Sequence, residues 1–301
     1  MRTQRKFQIW ACVLLIVGLI SCATLEQQID AISPVKVRDA KAAVKVGKAL
    51  RDSFADITEE EEYYIGRAVS ALILSKYSVY NNKALTQYIN TVGQAVVVHS
   101  DRPEIYAGYH FLILDTNEVN ALAAPGGFVF ITKGLLKRCK DEEVIAAILA
   151  HEVGHVAAKH GLQSIKKSRL VDAFTLMGQE VTQRYGPQEL AQLTSIFEDV
   201  LADIVENLIE RGYDRKYEYE ADKLGVKVST NTGYNPNGLV DFLQTMVDDS
   251  TGQPGKGWFK THPSPKDRMS RVQKQIRGLK SIPKVQSMRT SRFKGAVKSL
   301  K

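Results

Sequence analysis

Two histidines four residues apart constrain the fold more than any other feature of this 301-residue chain. His151 and His155 belong to the run HEVGH, inside an apolar stretch from Asp141 to about Gly161 with the pattern of a buried helix. Positions i and i+4 of a helix share one face, so two imidazoles there can bind one metal ion. Glu152 can reach a water on that metal without binding the metal itself. The pattern therefore predicts a helix that holds a catalytic zinc ion.

A catalytic zinc ion needs a third protein ligand, and a later helix offers one. A metzincin would have a glycine and a third histidine after HEVGH, but alanine and glycine stand at those positions. His160 is one position off that register and is expected to be a cation near the helix end. Glu218 and Asp222 share a helix face, so Glu218 is predicted to bind the metal and Asp222 to orient a ligand histidine. Glu220, which points elsewhere, is expected to be solvated.

The N-terminus predicts export. Three cations are followed by an apolar run over 9–20 and then by Ser21 and Cys22, which is the order of a secretory signal. The run is shorter than the roughly 20 apolar residues of a membrane-spanning helix, so an uncleaved anchor is the second interpretation. The run LISC resembles the bacterial lipobox. It predicts a lipoprotein signal peptide over 1–21, lipidation of Cys22, and a tether with an N-terminal helix over 22–57.

The residue after Cys22 bears on the final membrane. Ala23 stands where bacterial lipoproteins that stay in the inner membrane usually have aspartate. By that resemblance we expect a lipid-anchored protein on the periplasmic face of the outer membrane, in a Gram-negative cell. In the mature chain Cys139 would be the one other cysteine, so we expect no internal disulfide and a buried Cys139.

Helices dominate the rest of the chain, with two short strands. Runs rich in aromatic and aliphatic residues predict strands at 109–115 and 128–132, and helical spacing covers most of the chain on either side. The helical stretch over 163–209 is interpreted either as ordinary packed helices or as a lid. One domain is predicted over 58–280, followed by a tail over 281–301.

The tail is basic and contains no acidic residue. The simplest interpretation is a solvated, frayed terminus, and contact with an anionic lipid surface or a partner is the alternative. The whole chain has a net charge of +8, but we recognise no nucleic-acid-binding module in it. Charge alone therefore does not predict nucleic-acid binding.

HEVGH with the downstream run ExxAD resembles the HtpX-like zinc metallopeptidases, a gluzincin family that includes the CAAX prenyl proteases. The lipobox places the resemblance in the periplasmic lipoprotein branch, similar to LoiP-type and BepA-type proteases. The similarity extends over about residues 58–275. Besides the two motifs, it is carried by Asn120–Gly127 with the following FVFITKGLL, Gly212–Arg215, Thr261–Pro263 and Arg268.

The resemblance implies an α+β, mostly helical, zincin-like fold with a small sheet beside the HExxH helix. It implies one Zn²⁺ per chain, bound by His151, His155 and Glu218. Glu152 would be the catalytic base, and Asp222 would support a ligand from behind.

The resemblance also assigns substrate-side residues. The strand with Phe128, Val129 and Phe130 would hold an extended substrate by edge-strand pairing. His262 is implied to lie near the metal. There it would block the open zinc position, or act catalytically by stabilising the oxyanion, or be an ordinary surface residue.

Three functions are compatible with these features. The first is an endopeptidase that acts on misfolded or unassembled envelope proteins. The second is a zinc-bound, largely latent chaperone or assembly factor that works with the outer-membrane assembly machinery. The third is a lipoprotein with an accidental motif and no zinc. The intact Glu152 favours the enzyme, because a purely structural zinc site needs no base.

Overall fold

The computed structural model describes residues 57–163, 201–202, 204–249, 261–262 and 264–300. The chain divides into two compact units, one of residues 1–64 with 165–203 and one of residues 65–164 with 204–301. In the first unit only 57–64 and 201–202 are described, and both stretches include helical residues. The predicted signal peptide, Cys22, the tether and most of 163–209 lie outside the described residues. All the other predicted site residues belong to the second unit.

Helices and a small sheet make up the described chain, which confirms the predicted fold class. Among the described helices none is long and apolar enough to cross a membrane. In chain order the elements are α1 Glu59–Lys76, α2 Lys83–Val97, β1 His110–Leu114, β2 Ala121–Ala124, a 3-10 turn Pro125–Gly127, β3 Phe128–Thr132, α3 Lys133–Leu136, α4 Glu142–Ala157, α5 His160–Gln163, a π-helical turn Asn207–Arg211, α6 Arg215–Thr232, α7 Asn237–Asp249, α8 Pro265–Arg277, α9 Ser287–Val297 and a 3-10 turn Lys298–Leu300.

The sheet has the strand order β1-β3-β2. β3 pairs in parallel with β1 and antiparallel with β2, so its backbone is hydrogen-bonded on both sides. The prediction that Phe128, Val129 and Phe130 bind substrate by edge pairing is therefore wrong, because β3 is the central strand. β2 is the edge strand that faces the candidate site.

The other sheet edge is covered. Val79 forms an isolated antiparallel bridge with Leu114, at the C-terminal end of β1. The side chain of Asn90 donates to the carbonyl oxygen of Phe111 at 2.8 Å and accepts from its N–H at 3.4 Å. This amide side chain takes the place of a neighbouring strand along part of β1.

Helix α4 lies at the centre of the second unit. Asp141 caps it by accepting a hydrogen bond from the Val144 N–H. The residues from Glu142 to Val156 are all buried, since alanine, valine, isoleucine and leucine surround the helix on every side. α6 crosses α4 closely at Gly225, where an added Cβ would lie 3.3 Å from the Cα of His151. This close approach brings the acids of α6 beside the histidines of α4.

The C-terminal segment is ordered against the domain, so the interpretation of 281–301 as a frayed tail is wrong. On α9, Arg292 forms an ion pair with Glu142, and Arg289 lies 3.2 Å from Glu143. Phe293 is buried in the main core. These two arginines have partners that are distant in sequence, at the start of α4, which counting charges within the tail could not reveal.

Candidate metal centre

The two motif histidines converge at the middle of the protein core. His151 and His155 lie one turn apart on α4, and their Nε2 atoms are 3.1 Å apart. Both side chains are inaccessible to solvent. Two ring nitrogens this close, away from water, are the arrangement expected of a shared metal ion.

Glu218, on the first turn of α6, completes a three-ligand group. Its Oε1 lies 3.4 Å from His155 Nε2, and its Oε2 lies 3.7 Å from His151 Nε2. Zinc–ligand bonds of about 2.0–2.2 Å at tetrahedral angles separate the donor atoms by roughly 3.3–3.6 Å. The observed separations are close to this range, so the Glu218 carboxylate and the two imidazoles are placed to bind one zinc ion.

Glu152 lies beside these donors without joining them. Its carboxylate is fully buried, and neither oxygen has a hydrogen-bond partner among the described residues. Burial raises the pKa of this carboxyl. A buried acceptor without a partner costs free energy unless a water or ligand satisfies it, so its position fits a base that contacts a water at the metal.

Asp222 and Arg268 support His151 from behind. Asp222 Oδ1 lies 3.0 Å from His151 Nδ1, which leaves Nε2 for the metal. Arg268 donates to both oxygens of Asp222, at 2.7 and 2.8 Å, and its Nη1 lies 2.7 Å from Glu218 Oε2. Although burial opposes it, the charge of Arg268 holds the pKa of Asp222 below its usual range. Both carboxylates are thus paired with Arg268 in a buried site.

His160 and Glu220 support His155 in the same way. His160 Nδ1 lies 2.9 Å from His155 Nδ1, and His160 Nε2 lies 3.3 Å from Glu220 Oε2. Two facing ring nitrogens share one proton, and a metal on His155 Nε2 leaves that proton on His155 Nδ1. His160 then accepts this proton's hydrogen bond and donates its own Nε2–H to Glu220.

The prediction that His160 is a cation at the helix end is therefore wrong. Its side chain is buried, and burial, followed by the neighbouring His155, lowers its pKa to about 4. The ring packs beside Tyr217, with the centroids 4.5 Å apart. Glu220 is 56% exposed, as predicted, but it also contacts His160.

His262 is buried at the metal centre, so the surface alternative for this residue is wrong. Its Nδ1 lies 3.0 and 3.1 Å from the two oxygens of Glu218, and its Nε2 lies 3.4 Å from the carbonyl oxygen of Ala121. Burial would lower its pKa, but the charges of Glu218 and Glu152 outweigh this effect and raise it. His262 also offers a ring nitrogen within 4.8 Å of the other donors, so it is placed to be a fourth ligand as well.

Tyr213 covers the other side of the site. Its ring stacks on His155 with the centroids 4.3 Å apart, and its hydroxyl donates to the carbonyl oxygen of Ala123 at 3.2 Å. The N–H of Tyr213 donates to Thr261. The preceding Gly212 has a φ of +77°, and an added Cβ would lie 2.1 Å from the Thr261 oxygen. The segments around 213 and 262 are therefore packed together over the edge of β2.

Sequence analysis missed three contributors to this site. The pairing of Arg268 had a signal, because two buried acids on one helix face need a cation. The role of His160 had a weaker signal. A metal-binding histidine usually has a hydrogen-bond partner on the ring nitrogen that does not bind the metal. The aromatic cover by Tyr213 depends on tertiary packing, and no sequence signal identified it.

An HExxH helix beside a small sheet, with a glutamate on a later helix, defines a zincin-like metallopeptidase domain. The model of Peptidase family M48 matches residues 83–276, and the chain belongs to this family. Its members use zinc, which is the metal that the donor geometry fits.

Individual relatives agree with this assignment. The chain is 28% identical over 209 residues to the beta-barrel assembly-enhancing protease of Yersinia pestis, covering 67% of this chain and 41% of the relative. It is 26% identical over 231 residues to the mitochondrial metalloendopeptidase OMA1 of Schizosaccharomyces pombe, covering 75% and 64%. The beta-barrel assembly-enhancing protease of Escherichia coli K12 is 28% identical to the chain over 196 residues, covering 63% of this chain and 38% of the relative. The chain thus spans about two fifths of the length of these bacterial relatives.

Proposed function

We propose that this chain is a zinc-dependent endopeptidase that hydrolyses peptide bonds in proteins of the bacterial envelope. The observation that carries the proposal is the position of Glu152. Its buried carboxylate lies beside the group of possible metal ligands and has no hydrogen-bond partner among the described residues. A site that only stabilises the fold would have no use for such a group.

The residues divide the chemistry between them. A zinc ion bound here would polarise a peptide carbonyl and lower the pKa of the attacking water. His151, His155 and Glu218 would hold the ion. Glu152 accepts a proton from the attacking water and delivers it to the leaving amine, and its raised pKa suits both steps.

Casein cleavage by the zinc-loaded full chain tests this activity. Glu152→Gln keeps the size of the side chain but removes the base, so we expect a loss of about 100-fold to 10,000-fold in rate. Glu104→Gln, at an exposed position, is the matched control and should cleave like the wild type. Equal cleavage by Glu152→Gln and the wild type would refute the assignment of Glu152.

The names of the relatives and the predicted signal peptide at the N-terminus support envelope proteins as substrates. The beta-barrel assembly-enhancing proteases are similar to this chain over its catalytic region. We propose unfolded or misassembled envelope proteins as substrates, with the outer-membrane assembly machinery as a candidate partner. Comparing outer-membrane protein levels in cells with wild type and Glu152→Gln tests this. Unchanged levels of every outer-membrane protein would refute it.

A lipid anchor on Cys22, at the periplasmic face of the outer membrane, is part of the same proposal. It is supported by the order of cations, apolar run and cysteine. Incorporation of labelled fatty acid into the wild type but not into Cys22→Ser would support it. Equal labelling of both chains would refute it, and membrane fractionation would identify the membrane.

A latent form of the enzyme is favoured by the closed site. The ligands and Glu152 are all buried, and His262 and Tyr213 occupy two carbonyl groups of edge strand β2. We propose that a substrate strand would have to replace these contacts to pair with β2. If His262 blocks the site, His262→Ala should cleave casein faster than the wild type. If His262 stabilises the oxyanion, the same variant should cleave it more slowly.

A further inference from the structure

Three exposed apolar side chains lie close together in the sequence, two of them between α8 and α9 and one on the first turn of α9. Ile282, Val285 and Met288 are 41%, 54% and 71% exposed. Single exposed apolar residues are normal on a protein surface, but three within seven residues are a cluster. We call residues 280–288 the basic apolar segment.

Cations alternate with these apolar residues. Lys280 and Lys284 lie within the segment, and both are exposed. Two further lysines come later in the chain: Lys294 lies on α9 and Lys298 directly after it. The sequence contains no acidic residue after Asp267. Among the described residues, no ion pair joins any of these four lysines to a carboxylate. The segment therefore presents uncompensated positive charge beside its apolar groups.

The segment is fixed at both ends. Before it, Val272 and Ile276 of α8 are buried in the core. After it, Phe293 of α9 is buried, and Arg289 donates to the carbonyl oxygen of Gly233 at 2.8 Å. The exposed side chains thus belong to an ordered part of the domain, and a partner would not have to order a loose chain in order to bind them.

We propose that the basic apolar segment is a docking surface for an anionic lipid bilayer. Short apolar side chains can enter the boundary between headgroups and acyl chains, while lysines reach the anionic headgroups from long, flexible stems. The core of a protein–protein interface is depleted in lysine, so the alternation of lysine with apolar residues favours lipid over protein. This inference is independent of the proposed peptidase activity.

Tryptophan quenching by brominated lipids tests the proposal on the full chain reconstituted in vesicles. Met288→Trp places a probe in the segment, and Val98→Trp is the matched control, because Val98 is 66% exposed at the end of α2. Quenching is compared with that of the wild type, which carries the same native tryptophans. We expect added quenching and a blue shift for Met288→Trp in anionic vesicles, less in zwitterionic vesicles, and neither for Val98→Trp.

The charge requirement is tested on the same probe. Each lysine near an anionic surface contributes enough that Lys280→Gln with Lys284→Gln should lower the docked-to-undocked ratio about thirtyfold. Circular dichroism checks that each variant folds. No added quenching at position 288, or equal quenching at positions 98 and 288, would overturn the proposal. A response to soluble polyglutamate without quenching by anionic vesicles would also overturn it, in favour of an acidic protein partner.

Discussion

His151 and His155 lie one turn apart on the same helix, but their second ring nitrogens face different surroundings. His151 faces Asp222, whose charge is balanced by Arg268 in the fully buried interior. His155 faces His160, a neutral ring whose other nitrogen lies 3.3 Å from the surface carboxylate of Glu220. His151 is therefore oriented by a buried ion pair. His155 is oriented by a neutral ring, whose other nitrogen contacts an exposed carboxylate.

The difference teaches which part of the site is costly to disturb. A fully buried ion pair depends on both partners, because removing one leaves a buried charge without compensation. A neutral ring pair carries no such charge, and an exposed carboxylate can be replaced by water. We therefore expect changes in the support of His151 to cost the most folding stability, and changes in the support of His155 to affect metal binding in smaller steps.

The largest expected effect is on stability. Arg268→Met leaves Asp222 and Glu218 as buried carboxylates without their cation, which should lower the free energy of unfolding by about 3–5 kcal/mol. Denaturant unfolding of the metal-free chain measures this. Arg271→Met on the same helix removes an exposed arginine that stacks on the Tyr219 ring, and should cost less than about 1 kcal/mol. Equal losses in the two variants would contradict the account of the buried charges.

The next effect is the pH dependence of stability. The pKa of His160 is about 4 in the folded chain, against an ordinary value near 6.5. The unfolded chain thus takes up a proton at this residue between these two values, so stability is complete above pH 6.5 and falls as the pH decreases toward 4. The full shift corresponds to about 3 kcal/mol.

Unfolding of the metal-free chain at pH 7 and pH 4.5 tests this contribution. His160→Gln removes the titrating ring, so its stability should decrease less than that of the wild type over the same range. Parallel decreases in both chains would show that His160 does not contribute.

The tautomer of His151 is the third target. Asp222→Asn keeps the shape of the side chain but removes the charge that fixes the proton on Nδ1, so zinc affinity should fall about 10–100-fold. Competition with a chelator measures it. The control is Asp241→Asn, which removes one partner of a surface ion pair with Lys140 and should leave zinc affinity unchanged. An unchanged affinity in Asp222→Asn would mean that Asp222 does not orient the ligand.

Replacing His160 separates its chemical role from its packing role. His160→Phe removes the acceptor for the Nδ1–H of His155 and should weaken zinc binding by roughly tenfold. His160→Gln retains an acceptor oxygen and should recover part of the loss. If His160→Gln binds zinc as weakly as His160→Phe, the His160 ring acts through packing and not through the hydrogen bond.

The smallest effect is expected at the surface end of this chain of contacts. Glu220 is 56% exposed, so Glu220→Gln should change zinc affinity by less than about threefold. The change should decrease further at high salt, because an exposed charge is screened. A loss as large as that of Asp222→Asn would remove the distinction between the two supports.

Local spacing predicted α4 and α6 and the residues that face one another on them, but it did not predict α9, which lies in the part interpreted as a tail. The i, i+4 relation placed His151 with His155 and Glu218 with Asp222, and the structure brings these pairs together. The order of the strands in the sheet could not be predicted in this way, because the residues of one strand do not specify its neighbouring strands. The continuously apolar run from Phe128 to Ile131 is typical of a central strand, and this was the signal available in the sequence.

Contacts between distant segments could not be predicted from spacing. Arg268 is 46 residues from Asp222, and His160 is 60 residues from Glu220. Nothing in either local pattern specifies the partner. The tail was misjudged for the same reason, since the acid that binds Arg292 lies 150 residues earlier in the chain.

The zinc content of the purified full chain tests the central claim most directly. Elemental analysis after dialysis would compare the wild type with Glu152→Gln and His151→Ala. We predict one zinc ion per chain in the wild type and in Glu152→Gln, because Glu152 is not a ligand, and much less in His151→Ala. A wild type without zinc, or the same zinc content in all three chains, would contradict the assignment of this site.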